Sequence, residues 1–81
     1  MEVEFIIKGQ ARTLSRAHVL DVLGEGEPAG LIRTHAVEVA GACYPIKEAF
    51  ARATGLDPLD FGTIQARRAF ERLGFAVTRR A

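Results

Sequence analysis

Between Pro45 and Gly55 the apolar residues Ile46, Ala49, Phe50 and Ala53 recur at the i, i+3, i+4, i+7 spacing of one helix face, opposite Lys47, Glu48 and Arg52. A helix with one apolar face has to bury it, so the rest of the chain must supply a surface to pack on. The punctuation around this stretch is explicit. Pro45 is expected at the first helical position, where a missing amide donor costs nothing, and Gly55 at the left-handed exit. A second segment repeats the device: Ala66, Ala69, Phe70 and Leu73 share one face, with Thr63 expected as its cap and Gly74 as its end. Phe50, Phe70, Leu73 and Phe75 are thereby predicted to share one core.

Strand signals lie around these helices. Val3–Lys8 is β-branched and aromatic, Gly9-Gln10 predicts a tight turn, and Ala11–Thr13 a short return strand. Ser15 is expected to cap a helix over about Arg16–Leu23 that stops at Gly24, with Leu14 and Val19 spaced as a hydrophobic staple. Val37 and Val39 alternate with Glu38 in a half-buried strand over His35–Ala40, after which Gly41-Ala42 turns the chain toward Cys43-Tyr44 and the helix. Phe75–Thr78 predicts a closing strand. Strand, glycine turn and helix thus occur twice, as Val3–Leu23 and Val37–Thr54, a loose internal repeat with low residue identity. The expected class is α+β: a small, mostly antiparallel sheet with three helices, with a winged-helix-like variant left open.

Eighty-one residues, 48% hydrophobic and 26% charged, fit one domain over 1–81, near the size at which a core alone is barely sufficient. No apolar run approaches the roughly 20 residues of a membrane span, and the acidic start Met1-Glu2-Val3-Glu4 is unlike a secretory signal, so a cytoplasmic protein without membrane partners is expected. The single Cys43 cannot close an internal disulfide and is expected as a small buried apolar residue. Cys43, His18 and His35 show no metal-ligand spacing, and Gly24-Glu25-Gly26-Glu27 lacks the lysine and hydroxyl of a phosphate loop. No metal, cofactor or catalytic residue is expected, and the chain is not expected to be an enzyme.

Charge is unevenly spread. Residues 1–40 hold four basic groups against six acidic ones, and residues 41–81 hold seven (Lys47, Arg52, Arg67, Arg68, Arg72, Arg79, Arg80) against four. On the third helix, Gln65, Arg68 and Arg72 form an outward stripe beside Arg67, and Gln and Arg are side chains that suit adenine, guanine and phosphate. The plain alternative is a solvated face in which Glu71 partly neutralises Arg67 and Arg68. Helix two, helix three and the closing strand also predict a helix-turn-helix-like unit whose wing would set Thr78, Arg79 and Arg80 beside phosphates. The connection Gly55–Gly62 is longer than the roughly 3 to 4 residues usual in that motif.

Gly41, Tyr44-Pro45-x-Lys47, Phe61, Ala66-Arg67-Arg68 and Leu73-Gly74-Phe75 form a pattern, over about Val37–Val77, that is similar to small uncharacterised actinobacterial proteins. It also resembles an N-terminal module of modification-dependent restriction endonucleases of the McrA type. That resemblance implies a DNA-associated role with Tyr44, Lys47 and Arg68 at the matching positions. It does not imply cleavage, because the nuclease and modified-base domains have no counterpart in this sequence.

Two functions follow. One is a non-catalytic DNA-binding module using Gln65, Arg67, Arg68, Arg72, Lys47 and Tyr44 on duplex DNA. The other is a protein-interaction or homodimerisation module. Its surface would be the edge strand Val3–Ile7, where Phe5, Ile6 and Ile7 make both faces apolar, or Leu31-Ile32.

Overall fold

A computed structural model describes residues 1–28, 30–32 and 34–79. The chain opens with a hairpin of β1 (Glu2–Ile7) and β2 (Gln10–Ser15), which runs without a linker into α1 (Arg16–Leu23). A second hairpin, β3 (His35–Val39) and β4 (Ala42–Pro45), runs just as directly into α2 (Ile46–Thr54). A short 3-10 turn over Pro58–Asp60 leads to α3 (Thr63–Arg72), and β5 (Ala76–Arg79) closes the chain.

The class is α+β, built on two small antiparallel sheets rather than one: β1-β2, and β4-β3-β5. The loose repeat is therefore a ββα unit used twice. Both hairpins close on two-residue turns, Lys8-Gly9 and Ala40-Gly41, in which both residues have positive φ. That is the turn whose twist suits a tight hairpin, and glycine fills its second position both times.

Several boundaries differ from expectation: both turns fall one residue earlier than Gly9-Gln10 and Gly41-Ala42, so Gln10 and Ala42 begin β2 and β4, and β2 runs to Ser15 instead of Thr13. Cys43 and Tyr44 belong to β4, not to a lead-in to α2, and Pro45 is the cap residue with ψ 134° instead of the first helical residue. Proline disfavours the helical region for the residue before it, which keeps Tyr44 extended. Gly62, not Thr63, occupies the cap position of α3, with no side-chain cap bond, so Thr63 is the first helical residue. Cys43 is exposed, pointing away from the core on β4. The Ser15 cap holds as expected, its hydroxyl accepting from His18 N at 3.0 Å.

The core is continuous between the two sheets and the helices, and all five phenylalanines join it. Phe50 is its hub, with ring centroids 5.2 Å from Phe5, 4.7 Å from Phe61 and 5.9 Å from Phe70, which in turn lies 6.0 Å from Phe75. These are the tilted and edge-on contacts that aromatic quadrupoles favour. The predicted grouping of Phe50, Phe70, Leu73 and Phe75 is found, all buried.

Helix ends leave carbonyls without partners, and side chains from elsewhere in the fold supply three donors. Tyr44 Oη donates to Leu23 O of α1 at 2.7 Å, and His18 Nε2 donates to Ala53 O of α2 at 2.9 Å. Arg16 Nη1 donates to Leu73 O at the end of α3 at 2.7 Å, with its guanidinium 4.4 Å from the Phe75 ring centroid. The two ββα units thus satisfy each other's helices, and the first also holds the end of α3.

Candidate interaction groove

In a two-residue hairpin the residues flanking the turn exchange both backbone hydrogen bonds, and paired and outward-facing residues then alternate. With Ile7 opposite Gln10, this register directs the N–H and C=O of Phe5 and Val3 toward β2, and those of Ile6, Glu4 and Glu2 toward the other edge. Among the described residues no strand pairs with that edge. The side chains alternate too: Val3, Phe5 and Ile7 face the core, while Glu2, Glu4 and Ile6 face solvent.

α3 lies along this edge. Gln65 near its start donates from Nε2 to Ile6 O at 2.8 Å, and its far end, at Leu73, reaches Arg16, whose backbone N–H bonds Met1 O. Strand and helix therefore run in opposite directions, with Ala66 and Ala69 of the helix and Val3 and Phe5 of the strand in the shared core. Between them is an open groove of about 610 Å³ lined by β1 from Val3 to Ile6 on one wall and by Ile64, Gln65, Arg68, Ala69 and Arg72 on the other. Ile6 and Ile64 are well exposed at its rim. Arg68 and Arg72 are also exposed, and among the described residues neither has a carboxylate within ion-pair distance.

The six sequence-predicted site residues do not form one surface. Gln65, Arg68 and Arg72 line the groove together. Arg67, one position round the helix, turns away to Glu71 Oε1 at 3.3 Å, and its Nη1 lies 3.4 Å from His35 Nε2. A guanidinium only donates, so that ring nitrogen accepts, and the hydrogen sits on Nδ1, which is buried without a partner among the described residues. Lys47 is half-buried, its ammonium 5.5 Å from the Phe61 ring centroid. Tyr44 is fully buried and committed to Leu23 O, so it is a core residue that cannot touch DNA or any other outside partner. Arg80 lies outside the described residues; Thr78 and Arg79 pair with β3 at Ala36 and His35, so β5 is the third strand of a sheet.

Ile64 on the helix wall and the junction of the two walls were not among the expectations, whereas the strand wall was expected, as the Val3–Ile7 edge of the interaction reading. One signal pointed to that edge: with Phe5, Ile6 and Ile7 consecutive, at least one apolar side chain had to face outward. No family model matches the chain, and no curated protein or solved structure matches it. Among the described residues no helix is long and apolar enough to cross a membrane, and no cluster of His, Cys, Asp and Glu could hold a metal ion.

Proposed function

We propose that this chain is a non-catalytic protein-interaction module whose site is the open edge of β1 together with the facing side of α3. The observation that carries the reading is the open edge itself: the outward N–H and C=O of Glu4 and the N–H of Ile6 bordering a groove, with exposed Ile6 and Ile64 at its rim. Such an edge is a template for another strand, and proteins that do not use one usually cover it. Edge addition draws affinity from backbone hydrogen bonds and selectivity from alternate side chains. At Ile6 O an added strand has to displace the Gln65 amide, which donates to that carbonyl at 2.8 Å.

A duplex DNA reading draws on the same two arginines, but a recognition helix has to enter a major groove about 12 Å wide, and α3 has its polar stripe set beside the β1 hairpin in a concavity. The test is titration of isotopically labelled protein with extended peptides and, separately, with random duplex DNA. Peptide-induced amide shifts confined to Glu2–Ile7 and Thr63–Arg72 are the expected result. Binding only to DNA, with a log affinity against log salt slope that falls by roughly 0.9 for each of Arg68 and Arg72 replaced by Ala, would overturn it.

A further inference from the structure

The two ββα units are not equally complete. In the second, β3 is paired on both edges, with β4 on one side and β5 on the other. In the first, β1 has β2 on the corresponding side and, among the described residues, no strand on the other. Aligning the turns Lys8-Gly9 and Ala40-Gly41 sets Ile6 against Glu38 and Glu4 against Ala36. Glu38 and Ala36 are the outward-facing residues of β3, and they meet Ala76 and Thr78 of antiparallel β5. The fold therefore contains its own pattern for what the open edge of β1 receives: one short strand, antiparallel, bonded at Glu4 and Ile6.

Resting on the interaction reading above, we infer that the occupant is an extended acidic segment of another protein, antiparallel to β1, with carboxylates at alternate positions. α3 lies on the core side of β1, so every second side chain of an added strand points toward the wall that carries Arg68 and Arg72. Those two guanidiniums are a turn apart and without carboxylate partners among the described residues. Side chains on the other face of the added strand meet the solvent side of β1, where Glu2, Glu4 and Ile6 stand, and there apolar or basic residues fit. The ten residues of α3 run roughly 15 Å, enough to flank about four or five extended residues.

A second copy of this chain fits less well. A two-fold axis through the β1 edge, perpendicular to the sheet, sets both α3 helices on the same side and turns each Arg68 and Arg72 toward its copy. Four unpaired guanidiniums would then share one groove, and Glu4 would approach its own equivalent. An acidic strand removes both conflicts.

The experiment uses three eight-residue peptides, alternating Val with Glu, Ser or Lys, against the full chain at low salt. The Glu peptide is expected to bind roughly tenfold tighter than the Ser peptide, the Lys peptide least, and the Arg68→Glu/Arg72→Glu protein to reverse that order. Glu4→Pro removes an outward N–H while sparing the β2 ladder, a placement edge strands tolerate, and is expected to abolish all three. Because both charge substitutions are on exposed residues, a folded variant is expected, checked by an unchanged circular dichroism spectrum. Equal affinity for the Glu and Ser peptides, lost in Glu4→Pro, would overturn the acidic assignment while edge docking stands. Absence of binding by any peptide would overturn both, as would concentration-dependent dimerisation that blocks them all.

Discussion

The first and second ββα units share a backbone plan and diverge in how they close it. β2 has six residues and β4 four, a difference of one full pleat repeat, so the same faces point inward. Leu14 and Tyr44 each precede the cap residue and each is buried. Val19 and Leu23 of α1 correspond, by distance from the cap, to Ala49 and Ala53 of α2, and all four are buried. The next position breaks the match: Phe50 is fully buried at the centre of the aromatic cluster, whereas Leu20 is 39% exposed. The second unit is the built-in half of the molecule, with the hub of the core and three strands. The first keeps a thinner helix and an open strand edge, and its free surface is where a partner can act.

The largest expected effect comes from testing that asymmetry in the core. Phe50→Ala should cost about 3 to 5 kcal/mol, while Leu20→Ala should cost well under half of that, both read from denaturant midpoints. Similar costs would mean that the two helices share the core equally. Tyr44→Phe keeps the ring and removes the donor to Leu23 O, with an expected loss of about 1 kcal/mol, because Gly26 N also bonds that carbonyl at 3.2 Å. Gln65→Ala removes the side chain that competes with an incoming strand for Ile6 O. Acidic-peptide affinity should rise roughly 2- to 10-fold, the equivalent of one net hydrogen bond.

The turns give the smallest and finest contrast. Lys8 and Ala40 have the same φ of 51°, a value that asparagine tolerates better. Ala40→Asn should therefore gain a few tenths to about 1 kcal/mol in thermal or chemical unfolding. Lys8→Asn should gain less at neutral pH, because it also loses the 2.8 Å ion pair with Asp60. The hydrogen bond that Lys8 donates to the Asp60 carboxylate, together with that carboxylate's charge, raises the Lys8 ammonium above its ordinary 10.5. A raised folded-state value means a contribution that is present below about 10.5 and lost as pH rises through the raised value, so the two asparagine variants should converge in strong base.

Much of the fold was legible from local chemistry. The caps and exits at Ser15, Gly55 and Gly74 and the apolar faces of α2 and α3 are written in short range, and all appear. β4 was hidden because Tyr44-Pro45 carries two signals at once, an extended residue before proline and a proline fit for a helix start. Half of the candidate site was legible as the stripe Gln65, Arg68, Arg72 on one helix. The other half, the edge strand Val3–Ile7, was legible as a separate surface, but the approach of β1 to α3 joins residues such as Ile6 and Gln65, 59 apart in sequence, and no local pattern encodes that junction.

Native-state hydrogen exchange at four backbone amides, with and without the Glu-Val peptide, tests the central contrast most directly. In the free protein the Ala36 and Glu38 amides, paired with β5, should exchange slowly, and those of Glu4 and Ile6, on the open edge of β1, should exchange fast. Saturating peptide should slow Glu4 and Ile6 and leave Ala36 and Glu38 unchanged. Equal protection of all four in the free protein, or no change at Glu4 and Ile6 with peptide bound, would contradict the assignment of the β1 edge as the site.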